Sequence, residues 1–315
     1  MRPEIRGTVR SSICVIVCFA VCWAATPLVC VPLAGQSETW SVYISADMEG
    51  LTGVGTPAMT SNGGKDYEVG RAMQTQDINA AIAGIRAAAA QRGIERVRIV
   101  VNDSHGDHAN AYVELLAPGV EYVQGSLKPL GMVAGLDETF DAAMYIGYHS
   151  RAGTMGFLAH TGSGLVQHLE INGIPSGEGE MNAAFAGAHG VPVVLVHGDR
   201  DYVAQARETY ARTAETVMSK TAITARAAHL RPIDDVRREL TEKARQAMLT
   251  LEDREPWLLD APYTVELTLG STTRIDVSMA VPGVERVSPT TLRFQSDDIR
   301  RAYALIRLFY RFINA

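Results

Sequence analysis

Short apolar segments alternate with longer amphipathic segments along most of the chain. SVYISAD, RVRIVVND and VPVVLVHGD are rich in β-branched residues, which predicts buried strands. Between the first two, residues 65–93 carry apolar and alanine positions at helical spacing and end at Gly93, as a helix C-terminus should. Continuous apolar strands separated by helices are typical of a mostly parallel sheet covered on both faces.

The middle of the chain continues this alternation. AMYIGYH predicts another strand, preceded by a short helical stretch around residues 137–140, and VEYVQG predicts a shorter one. LVQHLEINGIPSGE predicts a hairpin whose turn contains Asn172 and Gly173, and EMNAAFAGAHG predicts a helix. The expected fold class is therefore α/β, a mostly parallel sheet flanked by helices.

The pattern changes after about residue 220. PIDDVRRELTEKARQAMLTLEDR predicts one long amphipathic helix, and YTVELTLGSTTRIDVSMAV alternates as strands do. SDDIRRAYALIRLFYRFI predicts a closing helix capped by Ser296. We therefore expect an α/β domain over residues 36–219 and a smaller C-terminal α+β subdomain over residues 220–315.

Residues 1–35 differ from the rest of the chain. Three arginines lie within MRPEIRGTVR, and the following apolar stretch is uncharged until small residues near Ala34 and Gly35. This predicts a signal peptide that is cleaved there, and thus a periplasmic or extracellular protein. An uncleaved membrane anchor is the less favoured alternative, because Pro27 and Pro32 would break a spanning helix.

Cysteine content and charge narrow the chemistry. All four cysteines lie within the leader, so the mature chain has neither disulfides nor thiolate ligands, and any metal must be held by His, Asp and Glu. Removing residues 1–35 takes away three Arg and one Glu, so the net charge changes from -6 to -8. A mildly acidic exported chain is not expected to bind nucleic acid.

Metal-capable side chains follow the predicted strands at the points where the strands end. In open α/β sheets, ligands bind outside the carboxyl ends of the strands, so these side chains are expected at one rim. Asp47 and Glu49 are two residues apart at the end of the first strand, where we expect their side chains to point to one side. The full set of candidates is Asp47, Glu49, His105, His149, His160 and Glu178.

Each of these signals is weak when taken alone. Asp47 could be a turn cap, and a lone His149 after a strand is more often a hydrogen-bonded structural residue. His108 and His197 are weaker candidates near the same rim. Carboxylates and imidazoles that converge without compensating cations would repel, and divalent metal removes that repulsion. Two histidines and three carboxylates suit a pair of Zn2+ ions, with one carboxylate able to bridge.

The motifs also match those of a known family. SADMEG fits an S-x-D-x-E-G signature, and VNDSH, GYHSR, the histidine of LAHTGSG, and IPSGE follow in the same order at similar spacings. The chain resembles the DppA-type D-aminopeptidases, zinc enzymes that release D-amino acids from the N-terminus of short peptides. The resemblance extends from about Trp40 to the last helix.

The resemblance implies a role for each candidate residue. The zinc ligands of the family fall on Asp47, Glu49, His105, His149 and Glu178, and its catalytic histidine falls on His160. It also implies short peptides with N-terminal D-residues as substrates and a ring-like homo-oligomer. The number of carboxylates and imidazoles, taken by itself, predicts two Zn2+ per chain.

Two other functions compete with a zinc aminopeptidase. An exported peptide- or metal-binding protein would keep the cleft without turnover, although a retained His160 beside all five candidate ligands argues against it. A metal-free glycosidase would use Asp47 and Glu49 as paired carboxylates. No aromatic-rich sugar groove is visible near them in the sequence, which makes this alternative the weakest.

Overall fold

A seven-stranded sheet forms the centre of the protein in the computed structural model, which describes residues 39–313. The strands, in chain order, are β1 (Thr39–Ala46), β2 (Arg96–Asp103), β3 (Glu121–Val123), β4 (Ala142–Tyr148), β5 (Val166–Ile171), β6 (Ile174–Pro175), β7 (Val193–Asp199), β8 (Glu215–Thr224), β9 (Ala227–Leu230), β10 (Tyr263–Leu269), β11 (Val284–Ser288) and β12 (Thr291–Ser296). The helices are α1 (Tyr67–Arg92), α2 (Glu178–Ala188), α3 (Arg200–Glu208), α4 (Ile233–Leu249), α5 (Thr272–Ser278) and α6 (Ile299–Arg307), the last continuing into a π-helical turn, Leu308–Phe312.

The strands belong to two sheets of different type. The central sheet has the order β3-β2-β1-β4-β7-β8-β9, and its strands pair in parallel except for β9, which is antiparallel to β8. The second sheet is antiparallel, with the order β11-β12-β10-β5-β6. The chain thus places a parallel sheet and an antiparallel sheet side by side in one fold.

Alternate side chains of β1 supply the cores on opposite faces of the central sheet. Val42 and Ile44 pack with α1 and α4 on one face. Tyr43 belongs to the core on the other face, which also contains residues of α2, α6 and the antiparallel sheet. Every side chain from Val42 to Ala46 is buried, as expected for a strand covered on both faces.

The predicted fold class is confirmed, with local corrections. Thr272–Ser278, predicted as strand, is helix α5, because Ser271 caps it by accepting a hydrogen bond from the backbone N–H of Arg274. Residues 137–140 form a turn and not a helix, since the Asp137 side chain accepts from the backbone N–H of Thr139.

The cap of the last helix and one edge of the central sheet also differ from the prediction. The last helix is capped by Asp298, which accepts from the backbone N–H of Arg300, and Ser296 lies two residues earlier at the end of β12. The hairpin β8–β9 was not predicted. It lengthens the central sheet by two strands.

The predicted signal peptide and the predicted domain boundary can each be compared with the residues that the structure describes. The signal peptide, residues 1–35, lies outside the described residues. The proposed boundary between residues 219 and 220 lies inside β8, and β10 of the C-terminal part pairs with β5 of the preceding part. The described residues all fall within one compact unit. Within residues 39–313, no helix has both the length and the apolar composition that a membrane span requires.

Candidate metal centre

The carboxyl ends of three neighbouring strands bring the candidate residues together. β1 lies between β2 and β4, and the parallel register sets Ala46 opposite Asp103 and Ile146. Asp47, His105 and His149 follow the last residues of β1, β2 and β4 by one or two positions. The expectation of a common rim for these side chains is therefore met by the register of the sheet.

Asp47, Glu49 and His105 form the first part of the cluster. His105 Nδ1 lies 3.1 Å from Asp47 Oδ1 and 3.1 Å from Glu49 Oε2. β1 ends at Ala46, so Glu49 reaches His105 from a turn and not from a strand. The expected two-residue strand alternation is thus not the reason that the two carboxylates meet.

Glycine and lysine hold this turn against the sheet. The Gly50 N–H donates to the carbonyl of Gly147 at 2.7 Å, and a Cβ at Gly50 would lie 1.8 Å from the carbonyl oxygen of Tyr148. The fully buried Lys220 donates from Nζ to the carbonyl of Glu49. Sequence reasoning missed Lys220, although a lysine within the strand SKTAI is unusual where both faces are covered.

Asp47, His149 and Glu178 form the second part. His149 Nε2 lies 3.3 Å from Asp47 Oδ2 and 3.3 Å from Glu178 Oε2. Glu178 is the first residue of α2, and its Oε1 accepts from the backbone N–H of Gly162 at 2.5 Å. Asp47 belongs to both parts of the cluster, and its carboxylate faces a different histidine with each oxygen.

His160 lies beside the second part, in the loop between β4 and β5. Its ring stacks on that of His149, with centroids 4.2 Å apart and planes 8° from parallel. Its Nε2 lies 3.7 Å from Glu178 Oε1. Leu158, with a φ of +53°, turns its carbonyl toward the ring and accepts from His160 Nδ1 at 2.9 Å.

All three imidazoles have one nitrogen held by a backbone carbonyl. His105 Nε2 donates to the carbonyl of Thr60 at 2.6 Å, and His149 Nδ1 donates to that of Ser150 at 3.0 Å. A carbonyl only accepts, so the nitrogen facing it carries the hydrogen, and in the neutral ring the other nitrogen offers a lone pair to the cluster. A backbone or carboxylate partner on the outer nitrogen is the usual arrangement of metal-binding histidines.

Two buried polar atoms at the centre of the cluster have no hydrogen-bond partner. They are Asp47 Oδ2 and His149 Nε2, which face each other. Buried polar atoms are normally satisfied, so an unmatched pair among acidic side chains fits a site that holds a cation. Three groups of side chains bring ligand atoms within 4.8 Å of one another: Asp47, Glu49 and His105; Asp47, His149 and Glu178; and Glu49, His149 and His160.

The electrostatics of the cluster are those of a crowded acidic site. Burial and the nearby charge of Glu49 raise the pKa of Asp47. Burial acts to lower the pKa of His105, but the charges of Glu49 and Asp47 outweigh it and raise that pKa well above its usual value. The same balance, with Glu178 as the main charge, raises the pKa of His149. The carboxylates therefore attract positive charge to both imidazoles.

Asp103 and the two weaker candidates, His108 and His197, lie outside the three groups of ligand atoms. The Asp103 carboxylate accepts from the backbone N–H groups of Asn110 and Ala111, which makes it a structural residue of the loop after β2. His197 is fully buried, and its Nδ1 accepts from the backbone N–H of Gly147 at 3.3 Å. His108 lines the cavity described next.

A cavity of about 120 Å3 opens onto the cluster and has a second wall from the end of the chain. Arg307, Tyr310 and Arg311 belong to that wall and were not among the predicted site residues. A signal for Arg307 was present, because it interrupts the apolar run YALIRLFY, where a helix buries its face. The remaining lining residues are Asp47, Ser104, His105, Gly106, His108, Met132, His160, Gly162 and Glu178.

A family model described as D-aminopeptidase matches residues 41–308 of the chain. The chain belongs to the D-aminopeptidase family. It is 34% identical to the D-aminopeptidase of Bacillus subtilis (strain 168) over 263 residues, which cover 83% of this chain and 93% of that protein. The family that the sequence motifs suggested is thereby confirmed.

A solved structure of the family gives the same result in three dimensions. The Zn-dependent D-aminopeptidase DppA from Bacillus subtilis, a self-compartmentalizing protease, superposes with a TM-score of 0.79 at 32% identity, covering 85% of this chain and 96% of the other. Membership of the D-aminopeptidase family confirms the prediction that the chain is a hydrolase of the metallo-aminopeptidase type.

Proposed function

We propose that the protein is a zinc aminopeptidase that releases N-terminal D-amino acids from short peptides. The observation that carries the proposal is the cluster of three carboxylates around the inner nitrogens of His105 and His149, with two of its buried atoms unmatched. The D-aminopeptidase family and its Zn-dependent member of known structure support the choice of metal and of reaction.

The residues present suit zinc. Imidazole nitrogen and carboxylate oxygen are both zinc ligands, and the mature chain offers no thiolate. Asp47, Glu49 and His105 would hold one ion, and Asp47, His149 and Glu178 would hold a second, with Asp47 shared between them. We therefore propose two Zn2+ per chain.

Two residues, His160 and Glu178, then carry out the proton transfer that the reaction requires. Bound zinc supplies polarisation of a carbonyl group and lowers the pKa of water. His160 keeps its Nδ1 hydrogen on the Leu158 carbonyl, so its Nε2 is free to accept a proton and to deliver it to the departing amine. Glu178 lies 3.7 Å from that nitrogen and stabilises the imidazolium that results. Overall, water is added across the N-terminal peptide bond to give an amino acid and a shortened peptide.

The metal and the stereochemical preference are tested together. Elemental analysis of active protein should give two zinc ions per chain, and D-alanyl amides should be hydrolysed in preference to L-alanyl amides. One zinc or none in fully active protein would exclude the paired site. Binding without hydrolysis of either series would support a peptide-binding protein instead.

We also propose that the protein is exported and acts as a homo-oligomer. The leader pattern of residues 1–35 supports export, and the self-compartmentalizing relative supports assembly. N-terminal sequencing of protein recovered from its host should begin near Gln36. A first residue within the leader would argue for a retained anchor.

A further inference from the structure

The second wall of the cavity is built from the C-terminal end of the chain. Helix α6 ends at Arg307 and continues into the π-helical turn Leu308–Phe312. Such turns are rare and occur frequently at functional sites. Here Arg307, Tyr310 and Arg311 all face the cavity that the metal cluster lines from the other side.

Arg307 is a buried cation without an acidic partner. Its guanidinium donates from Nε to the carbonyl of Pro129 at 3.2 Å and from Nη2 to that of Lys128 at 3.1 Å. Only 4% of the residue is exposed, and no carboxylate in residues 39–313 forms an ion pair with it. A buried charge that is hydrogen-bonded but not neutralised still favours an anion beside it.

The backbone makes room for this guanidinium. Gly131 has a φ of +45°, and a Cβ there would lie 2.0 Å from Arg307 Nη1. Any other residue at this position would displace the guanidinium from the cavity wall. The arrangement is therefore a shaped cradle and not a chance contact of a surface arginine.

Tyr310 connects this wall to the metal cluster. A Cβ at Gly162 would lie 2.3 Å from the Tyr310 ring, and the Gly162 N–H donates to Glu178. The Tyr310 hydroxyl accepts from Arg307 Nη1 at 3.5 Å, so its own hydrogen is available to a ligand. Burial raises the pKa of Tyr310, which keeps that hydrogen in place at neutral pH.

Arg311 extends the positive wall to the mouth of the cavity. It is exposed, donates from Nη2 to the carbonyl of Gly106 at 3.2 Å, and has no ion pair within the described part of the chain. This wall therefore presents two guanidinium groups to the cavity, one buried and one exposed.

We propose that Arg307, Tyr310 and Arg311 form a subsite that binds the C-terminal carboxylate of a short peptide. This inference rests on the proposed aminopeptidase function, which sets the N-terminal end of the substrate at the metal cluster. A short peptide carries opposite charges at its two ends, and guanidinium groups and a phenol are suitable donors to a carboxylate. The enzyme would then select short peptides with a free C-terminus over amides.

The test compares one dipeptide with its own amide. On the full-length zinc-loaded protein, kcat/KM for D-alanylglycine should exceed that for D-alanylglycinamide by about tenfold or more, the usual value of a charge-assisted contact. Arg311→Gln should lower kcat/KM for the acid by about 10- to 100-fold and leave the amide within about threefold. Arg301→Gln, at an exposed position of α6, is the matched control and should change neither substrate.

A binding measurement separates this subsite from turnover. In the His160→Ala protein, titration calorimetry should show tighter binding of D-alanylglycine than of its amide, and Tyr310→Phe or Arg311→Gln should reduce that difference. Two equalities would overturn the subsite and leave the proposed aminopeptidase function intact. They are equal kcat/KM for acid and amide in the unsubstituted protein and equal affinity for both in the His160→Ala protein. If the unsubstituted protein bound the acid more tightly than the amide but hydrolysed neither, the subsite would stand and the proposed function would be overturned.

Discussion

At the scale of single residues, the orientation of three imidazole rings decides what the site can do. His105, His149 and His160 each give one ring nitrogen to a backbone carbonyl and turn the other toward carboxylates. His105 and His149 each lie within 3.3 Å of two carboxylates, whereas His160 Nε2 lies 3.7 Å from Glu178 and has Glu49 within 4.8 Å. This difference supports the proposed roles, with the first two as metal ligands and the third as the proton carrier.

We predict that His160→Ala separates catalysis from metal binding. The variant should keep its zinc and its melting temperature and lose about 10²- to 10⁴-fold in kcat on a D-alanyl amide, the usual contribution of a general acid–base group. Elemental analysis, thermal unfolding and steady-state kinetics measure the three quantities. His168→Ala, on the partly exposed strand β5, is the control and should retain full activity.

Loss of zinc from the His160→Ala protein would instead make this residue a ligand. That outcome has a structural basis, because His160 offers a ligand atom near those of Glu49 and His149. Near-normal kcat with full zinc content would remove any catalytic role.

The second residue-scale prediction concerns pH. Burial lowers the pKa of His197 to about 3, so the ring is neutral in the folded protein. In the unfolded chain the pKa is about 6.5, so only the unfolded state takes up this proton between pH 6.5 and pH 3. The contribution of His197 to the free energy of unfolding is therefore fully present above pH 6.5 and decreases as the pH falls. The decrease is about 2 kcal/mol between pH 7.5 and pH 5.

His197→Asn should remove that part of the pH dependence. Asparagine keeps an acceptor near the Gly147 N–H but does not titrate. Urea unfolding at pH 7.5 and pH 5, with excess zinc, should show that the variant loses about 2 kcal/mol less than the parent. The exposed His229, replaced by asparagine in the same way, should leave the difference unchanged. Equal losses in parent and variant would contradict the prediction.

At the scale of elements, close approach of helices to each other and to the sheet depends on glycine. α1 packs along α4 and approaches it closely at Gly84, where a Cβ would lie 2.2 Å from the carbonyl oxygen of Thr241 and 2.7 Å from the Cβ of Ala244. The turn after β1 shows the same principle at Gly50, which places Glu49 in the metal cluster.

We predict that Gly84→Ala destabilises the protein although alanine is the better helix former. The methyl group would collide with the backbone of α4, and forced overpacking costs about 1–3 kcal/mol, more than the roughly 1 kcal/mol gained in helix propensity. Chemical unfolding of the zinc-loaded protein measures the change. Gly164→Ala, where a Cβ would meet nothing within 4 Å, is the control and should lie within about 0.5 kcal/mol of the parent.

At the scale of the whole molecule, the apolar surface is compatible with self-association. Several large apolar side chains are strongly exposed, among them Leu127 at 68%, Met155 at 73% and Ile223 at 66%. Met155 lies in the same loop as His160, and that loop is bonded to the β8–β9 hairpin through the Leu158 N–H and the Ala225 carbonyl. Exposed apolar side chains beside a functional loop are typical of interaction surfaces.

We predict that the protein in solution is a homo-oligomer. Light scattering after size exclusion should give a mass that is a multiple of the chain mass, 34.0 kDa when the leader is retained. Met155→Lys should shift the distribution toward smaller species, because it buries a charge in the expected contact. A monomer that is fully active at assay concentrations would contradict the need for assembly.

Local sequence determined most of the elements and the identity of the site residues. The strand that begins at Thr39, the helix that ends at Gly93 and the hairpin turn at Asn172 were predictable, because periodicity and turn chemistry act between near neighbours. The meeting of Asp47, His105 and His149 was also predictable, since parallel strands carry their functional side chains at their carboxyl ends.

Only the tertiary structure decided how these residues meet and what faces them. Asp47 is shared between two groups because β1 lies between β2 and β4, an order that no local pattern contains. Helix α5 replaced a predicted strand because the Ser271 cap outweighed a short alternation. Arg307 lies more than a hundred residues after Glu178, the last candidate metal ligand in the chain, and it reaches the cavity because α6 folds back over the cluster. Contacts at that separation depend on packing of the whole chain.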